Sequence, residues 1–290
     1  MNVLVTGSNG QLGSEIKNLA KSFKDLNFFF VVRLELDICN FVEIQKIIAI
    51  HNITTIINCA AYTAVDKAEQ NSALAQDVNA VGVINLVNAL KEVQGKLIHI
   101  STDYVFNGNS FLPYKELDKA SPIGVYGNTK RDGELAVIGS AIDAIVIRTS
   151  WLYSSFGNNF VKTMLRLGSE REELNVIFDQ VGTPTYARDL ARVCLEILSN
   201  NKESEISSKG KMYHFSNEGI ASWYDFAKGI MLLANINCKL NPIETKDYPT
   251  LAIRPHFSVL NKAKIKADFN VQIPYWRDSL EECILKITQK

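Results

Sequence analysis

The chain opens with a strand, a glycine-rich turn and a helix in that order, and this feature constrains its fold more than any other. The apolar run "NVLVTG" is followed by Gly7, Gly10 and Gly13 at GxxGxxG spacing, and apolar residues then recur every three or four positions up to residue 23. Glycines permit positive φ and let backbone amides approach a pyrophosphate, and a helix N-terminus adds partial positive charge. The order therefore predicts a dinucleotide-binding unit.

The next 130 residues repeat the alternation of short apolar runs with helical periods. Apolar strands without strict polar alternation, separated by helices, are typical of a parallel sheet covered on both faces. We therefore expect an α/β fold: a Rossmann-type doubly wound parallel sheet over 1–150, with a smaller C-terminal substrate-binding lobe over 151–290 that is partly interleaved with it. The polar segment 201–211 predicts a loop inside that lobe.

Composition excludes several classes of partner. Lys+Arg and Asp+Glu are balanced at 31 each, so no net field favours nucleic acid or a membrane surface. The five cysteines have no CxxC or Cys/His spacing that predicts zinc or a disulfide framework. We find no secretory leader and no 18-residue apolar run. The expectation is a cytoplasmic protein that binds a small molecule.

The second predicted strand indicates which nicotinamide cofactor is preferred. An acidic residue at its end usually accepts from the ribose 2′-hydroxyl of NAD, but Val32 and Arg33 stand there. A guanidinium can pair with a 2′-phosphate, so NADPH is favoured over NADH, unless Arg33 is only a surface residue. The residues expected to face the cofactor are Gly7, Asn9, Gly10, Gln11, Leu12, Arg33, Asp37, Ile38, Ala60, Ala61 and Tyr62, together with Tyr126 and Lys130.

Three polar side chains come in an order that suits carbonyl reduction. Thr102 ends the fourth predicted strand, and Tyr126 and Lys130 lie one helical turn apart. Hydride addition to a carbonyl leaves an oxygen that must receive a proton. A free phenol has a pKa near ~10, and a neighbouring ammonium would move it toward the operating range. A tyrosine–lysine pair alone would indicate a surface contact, but with the glycine turn and Thr102 it predicts Tyr126 as the general acid.

Longer segments carry a more specific signal. They run in order from residue 3 to about residue 261 and are "VTGSNGQLG", "NCAAYTAVDKAE", "ISTDYVFNG", "VYGNTKRDGE", "VIRTSWLYSSFGNNFVKTML", "DQVGTPTYARDLA", "YHFSNEGIASWYDFA" and "RPHFSVL". In these segments the chain resembles the dTDP-4-dehydrorhamnose reductase family of the extended short-chain dehydrogenase/reductase superfamily. The resemblance implies reduction of the 4-keto group of dTDP-4-dehydro-L-rhamnose to dTDP-L-rhamnose by NADPH or NADH.

The same resemblance implies roles for individual residues. Thr102, Tyr126 and Lys130 would be the catalytic residues, and Asp103 and Trp151 would face the sugar. The residues implied for the nucleotide part are Asn159, Gln180 and Arg254. Two other interpretations stay open, since a tryptophan at a strand end is also a common core residue and an arginine often lies on the surface.

Other functions remain open at this point. Another nucleotide-4-ketosugar reductase or an epimerase would share most of these motifs, whereas a 4,6-dehydratase would carry Asp-Glu where Asp103 and Tyr104 stand. A non-catalytic regulatory subunit that binds NADP could keep the fold, although Thr102, Tyr126 and Lys130 argue against it. Some family members bind magnesium at a subunit contact, which makes magnesium and a homodimer candidates. No carboxylate cluster in the sequence itself indicates a metal site.

Overall fold

A computed structural model of the chain describes residues 1–199 and 211–289, so the predicted loop at 201–211 lies outside the described residues except for its last position. The strands are β1 (Asn2–Thr6), β2 (Asn27–Phe30), β3 (Thr55–Asn58), β4 (Lys96–Thr102), β5 (Asp143–Thr149), β6 (Leu152–Tyr153), β7 (Glu173–Ile177), β8 (Val181–Gly182), β9 (Thr185–Tyr186), β10 (Lys211–His214), β11 (Ala221–Ser222) and β12 (Lys239–Ile243). The helices are α1 (Gln11–Leu19), α2 (Phe41–His51), α3 (Val65–Gln70), α4 (Ser72–Gln76), α5 (Gly82–Glu92), α6 (Val125–Ile138), α7 (Phe160–Glu170), α8 (Ala187–Ser199), α9 (Trp223–Leu233), α10 (Ala263–Phe269) and α11 (Trp276–Thr288).

Six of these strands form one parallel sheet in the order β10-β5-β4-β3-β1-β2, which confirms the predicted doubly wound α/β fold. β1 is flanked by β2 on one side and by β3 on the other, so the chain direction across the sheet reverses there. Open α/β sheets bind ligands in the crevice outside the carboxyl ends of the strands at such a point. In the register, Thr6 pairs with Asn58 and Thr102 pairs with Thr149, so these strand ends share one edge.

Both faces of the sheet are buried, which explains the continuous apolar runs in the sequence. Val3 and Val5 of β1 pack into one hydrophobic cluster, whereas Leu4 between them packs into another on the opposite face. Helices α1 and α8 cover the first face, and α2, α5 and α6 cover the second. Alternate side chains of one strand thus reach two different cores.

The second half of the chain both builds a lobe of its own and completes the sheet. Strand β10 extends the sheet beside β5, and helix α8 packs against α1. A separate cluster of buried residues, which includes Phe226 and Trp276, forms the core between α7, α9 and α11. The division of the chain into 1–150 and 151–290 stays a prediction. Strand β10 and helix α8 are the parts of the second half that are interleaved with the first.

One helical stretch is long and apolar enough to span a membrane by length and composition alone. It runs from Ser72 to Glu92 and includes α4, a π-helical segment (Asp77–Val81) and α5. Half of its most apolar window is buried inside the protein, against α2 and α6. This is the character of a core helix.

Candidate active site

A cavity of about 220 Å³ opens at the point where the strand order reverses. Its walls come from the segments that follow β1, β2 and β3. The residues lining it include Gly7, Asn9, Gly10, Arg33, Asp37, Ile38, Ala60, Ala61 and Tyr62. The cavity therefore brings together the residues that the sequence predicted to face the cofactor, with the exceptions of Gln11, Leu12, Tyr126 and Lys130.

Gly7 shows why this turn needs glycine. Its φ is +61°, and a Cβ there would lie 2.8 Å from the backbone nitrogen of Ala60. The turn after β1 thus presses directly against the segment after β3, which leaves backbone atoms rather than side chains along the wall. Helix α1 begins at Gln11, directly after Gly10 of the cavity wall, so its N-terminus, where amides lack helical acceptors, adjoins this cavity. Such a surface suits the pyrophosphate of a dinucleotide.

The side chains of Gln11 and Leu12 have other partners. Asn159 donates a 3.0 Å hydrogen bond to Gln11 Oε1, and Gln11 Nε2 donates at 3.4 Å to the carbonyl oxygen of Leu152. The Leu12 side chain is buried in the core beside the sheet. What these two residues offer a cofactor is their backbone amides at the N-terminus of α1.

Arg33 and Asp37 lie in the cavity wall that follows β2. The Arg33 side chain is 67% exposed, and its Nε lies 3.7 Å from Asp37 Oδ2. An exposed arginine can turn toward an incoming phosphate at little cost, because a surface pair of this kind contributes at most about 1 kcal/mol. The geometry suits recognition of a 2′-phosphate.

Thr102 and Tyr126 meet at the carboxyl end of β4. Tyr126 lies in the first turn of α6, which confirms the predicted helix, and its phenol lies close enough to the Thr102 hydroxyl for that hydroxyl to lower its pKa in part. Gly127 permits the close packing of this turn, because a Cβ there would lie 2.3 Å from the carbonyl oxygen of Tyr104. The ring of Tyr104 also packs edge-on against that of Tyr126, with centroids 5.5 Å apart.

The pKa of Tyr126 corrects one expectation. Burial raises it to about 12, the Thr102 hydroxyl opposes that rise, and the negative charge of Asp103 adds to it. Lys130 was expected to lower it, but the Lys130 ammonium donates instead to the carbonyl oxygen of Ile100 at 2.6 Å. Tyr126 therefore stays protonated at neutral pH, which is the form that a general acid requires.

Lys130 itself is held in a buried site. Its side chain is 2% exposed, and burial lowers its pKa to about 8, with Glu134 and Cys59 opposing that effect. Cys59 belongs to the wall of the cofactor cavity, so the ammonium charge acts close to that cavity. Glu134 stands one turn further along α6 and accepts 2.7 Å hydrogen bonds from Ser101 and Arg148, which join the helix to β4 and β5.

Asp103 is a buried carboxyl group beside the pair formed by Thr102 and Tyr126. It is 2% exposed, and burial raises its pKa to about 6. The Thr102 hydroxyl donates to Asp103 Oδ1 at 3.0 Å, and Oδ2 makes no hydrogen bond of normal geometry with the residues that the structure describes. The Ser258 hydroxyl nearby opposes the rise in the pKa of this carboxyl group in part. A hydroxyl carries one proton, so Thr102 cannot donate to Asp103 and to a substrate oxygen at once.

Trp151 sits two positions beyond the strand residue that pairs with Thr102. Its φ is +46°, a left-handed conformation that is rare for a bulky residue. The indole stacks face to face on Trp223, with centroids 3.7 Å apart, and approaches Gly182, where a Cβ would lie 2.7 Å from the ring. Backbone strain of this kind clusters at functional sites, but these contacts are packing contacts, so the sugar-facing role of Trp151 stays a prediction.

A second cavity of about 300 Å³ lies in the C-terminal lobe. Its walls are mainly apolar and aromatic, with a few polar groups among them. The residues lining it include Phe160, Met164, Gln180, Trp223, Tyr248 and Arg254. The structure thus brings Gln180 and Arg254 to one cavity, as predicted for the nucleotide part of a substrate.

Asn159 does not line that cavity but directly precedes Phe160, which does, and it has structural partners of its own. It caps α7 by accepting a hydrogen bond from the Lys162 amide, and it donates to the Ser154 carbonyl oxygen at 2.7 Å. With its bond to Gln11, these contacts occupy its amide, so its predicted substrate contact stays a prediction. Asn159 links the N-terminus of α1 to the helix that lines the second cavity.

Sequence reasoning did not single out several residues that shape the site. Trp223 supplies the partner of Trp151, Tyr104 packs on Tyr126, and Asp66 holds Arg254. Asp66, Tyr104 and Trp223 all stand inside the quoted family segments, and Trp223 lies within the capping box formed by Ser222 and Asp225, but only the fold shows what each contacts.

No group of three or more His, Cys, Asp or Glu side chains that could hold a metal ion occurs within residues 1–199 and 211–289. Glu15 and Glu282 approach each other around Arg188, whose guanidinium nitrogens lie 3.6 and 3.3 Å from the two carboxylates. Magnesium binding therefore stays a prediction, because none of the described residues form a cluster that would hold the ion.

Comparison with known proteins identifies the family. The family model described as RmlD substrate binding domain matches residues 1–289. A dTDP-4-dehydrorhamnose reductase from Aggregatibacter actinomycetemcomitans is 42% identical over 289 residues, which are 96% of this chain and 97% of that protein. A crystal structure of a dTDP-4-dehydrorhamnose reductase from Clostridium acetobutylicum is similar with a TM-score of 0.93 at 40% identity, over 100% of both chains. Another from Bacillus anthracis, in complex with NADP, has a TM-score of 0.92 at 38% identity over 98% of this chain and 99% of that one. The chain therefore belongs to the RmlD family, which is the family of the dTDP-4-dehydrorhamnose reductases.

Proposed function

We propose that this chain reduces the 4-keto group of dTDP-4-dehydro-L-rhamnose to give dTDP-L-rhamnose, with NADPH as the hydride donor. The observation that carries the proposal is the contact of Thr102 with Tyr126 at the carboxyl edge of the sheet, the edge where the cofactor cavity opens. The relatives named above are dTDP-4-dehydrorhamnose reductases, and the one from Bacillus anthracis was solved with NADP.

The residues around the first cavity fit a dinucleotide. The glycine turn provides backbone amides and a helix N-terminus, and Arg33 provides a cation that is free to turn toward a 2′-phosphate. When bound there, the nicotinamide supplies the hydride that reduces the carbonyl carbon. The choice of NADPH over NADH rests on Arg33 and on the NADP-bound relative.

The proton comes from Tyr126. Its pKa of about 12 keeps the phenol protonated at neutral pH, yet a sugar alkoxide is a stronger base than a phenolate, so proton transfer to the new alkoxide is favourable. The Thr102 hydroxyl can stabilise the phenolate that results by turning its one proton from Asp103 to the phenolate oxygen, which agrees with its lowering the pKa of Tyr126 in part. Lys130, with a pKa of about 8, is mostly an ammonium at pH 7 and keeps positive charge near this site.

The second cavity holds the rest of the substrate in this proposal. Its aromatic walls suit a base, and Arg254 supplies a cation for the diphosphate. Asp103 and Trp151 contact the sugar ring, where the unpartnered Asp103 Oδ2 can accept from a sugar hydroxyl.

A direct assay tests the proposal. The purified protein is incubated with dTDP-4-dehydro-L-rhamnose and NADPH, the absorbance of NADPH is followed, and the product is identified by NMR. We expect one NADPH oxidised for each dTDP-L-rhamnose formed. Oxidation with a different 4-ketosugar only, or a product epimeric at C4, would contradict the substrate assignment.

Tyr126→Phe is the matched variant, because it removes only the hydroxyl. It should lower kcat by roughly 100-fold to 10,000-fold and leave the Kd for NADPH within about twofold of the wild type. An unchanged kcat would show that Tyr126 is not the acid. NADPH binding without turnover in both proteins would favour the regulatory-subunit alternative.

A further inference from the structure

The helix that carries Tyr126 has an unusual N-terminus. The N-cap position of α6 is Gly124, which has no side chain to accept a hydrogen bond from the first turn. Glu69, which is 56 positions away in the sequence, takes that role: its Oε1 accepts from the Val125 amide at 2.9 Å. A Cβ on Gly124 would lie 2.9 Å from the same oxygen, so the glycine makes room for this carboxylate. Tyr126 follows Val125 directly.

The helix that supplies Glu69 is also anchored to a residue that lines the second cavity. Asp66 precedes Glu69 by three positions on α3, a spacing that places both on one face. Asp66 accepts two hydrogen bonds from Arg254, at 2.6 and 3.2 Å, and one from the Ala252 amide at 3.1 Å. One short helix therefore contacts both the cation of the second cavity and the start of the catalytic helix.

We propose that Glu69 is a positioning residue for the general acid. It fixes the first turn of α6 through the Val125 amide and thereby fixes Tyr126 against Thr102, while Asp66 holds α3 in place through Arg254. This inference rests on the proposed function, because it assigns a role in the same reaction. A carboxylate at a helix N-terminus satisfies an otherwise unpaired amide and interacts favourably with the helix dipole. Glu69 touches neither the substrate nor the cofactor in this role.

The test separates positioning from general damage to the fold. Glu69→Ala removes the acceptor, whereas Glu69→Gln keeps an amide oxygen that can accept from Val125. Gln70→Ala, at the exposed next position on α3, is the control for a change in this helix. We expect Glu69→Ala to lower kcat by roughly 10-fold to 100-fold, the scale of a 1 Å misplacement, with the Kd for NADPH unchanged. Glu69→Gln and Gln70→Ala should stay within about threefold of the wild type.

Two results of these assays would overturn the inference: a wild-type kcat in Glu69→Ala, or an equal loss in Glu69→Gln and Glu69→Ala. If the wild type does not reduce the ketosugar, that result would count against the proposed function alone. A second measurement then tests the role of Glu69 independently of activity. Hydrogen exchange of the peptide that covers residues 121–130 should be faster in Glu69→Ala than in the wild type and Glu69→Gln. Equal exchange in all three proteins would also overturn the inference.

Discussion

Lys130 Nζ donates a 2.6 Å hydrogen bond to the carbonyl oxygen of Ile100 and so joins the catalytic helix to the strand that ends in Thr102. The bond fixes the ammonium at depth, where burial lowers its pKa to about 8. Its charge is therefore present at neutral pH and lost in mildly alkaline solution. The contribution of Lys130 to the reaction should follow that titration.

Activity should therefore fall above about pH 8. The check is kcat/KM for the ketosugar between pH 6 and pH 10 in the wild type and in Lys130→Arg. An arginine stays charged throughout, so the variant should be slower but should keep its rate beyond pH 9. A wild-type kcat/KM that stays constant up to pH 10 would show that the charge of Lys130 does not limit the reaction.

The choice between NADPH and NADH should depend on Arg33. In the proposed binding mode, replacement by glutamine removes the cation for a 2′-phosphate, and Asp37 remains to accept from a 2′-hydroxyl. We expect Arg33→Gln to lower kcat/KM for NADPH by about tenfold and to leave kcat/KM for NADH within about twofold, since one charged hydrogen bond is worth roughly 1.5–3 kcal/mol. Steady-state kinetics with both cofactors measures this ratio, and an equal loss for both would show that Arg33 does not discriminate.

The fold could be predicted almost completely in the first half of the chain, because its signals are local. Each buried strand of the sheet appears as an apolar run, and the glycine turn marks where the cofactor cavity begins. The short strands of the C-terminal lobe are different: β6 and β9 pair over two residues each, which leaves no periodicity to detect. The helices α3, α4, α10 and α11 were not predicted either, and three of these are seven residues or shorter.

The site divides in the same way. Residues fixed by one motif, such as Tyr126 and Lys130, could be named from spacing, but the partner of each side chain depends on contacts between distant segments. Ile100 rather than Tyr126 receives the Lys130 ammonium because α6 lies across β4. The bond from Val125 to Glu69 spans 56 positions and has no local signature.

Arg254 should determine affinity for the nucleotide end of the substrate. Lysine keeps the charge but cannot make the two hydrogen bonds that Asp66 now accepts. We expect Arg254→Lys to raise KM for the nucleotide sugar by about tenfold with a smaller change in kcat. Arg166→Lys, in an exposed pair with Glu170, is the matched control and should leave both constants unchanged. A KM in Arg254→Lys equal to the control's would remove Arg254 from the substrate site.

Asp103 should make the protein less stable at neutral pH than an isosteric amide would. Its pKa is raised from 3.8 to about 6 in the folded chain, so the folded state binds more protons than the unfolded state between these values. The free energy of unfolding therefore falls as pH rises through this window, and the penalty is fully present above about pH 6. Asp103→Asn removes it and should raise the free energy of unfolding by about 1–3 kcal/mol at pH 7.5.

Urea unfolding of the wild type and Asp103→Asn at pH 5 and pH 7.5 measures this difference. The advantage of the variant should shrink at pH 5, because the wild-type carboxyl group is then largely protonated in the folded state.

Turnover of the ketosugar should fall in the same variant, since an amide carries no charge near Tyr126 and presents an N–H group as well as an oxygen to the sugar. A variant that is less stable than the wild type at pH 7.5 would mean that the Asp103 carboxylate is stabilised by its surroundings. If Asp103→Asn is more stable than the wild type and turns over the ketosugar more slowly, the Asp103 carboxylate is a buried charge that the protein retains for its reaction.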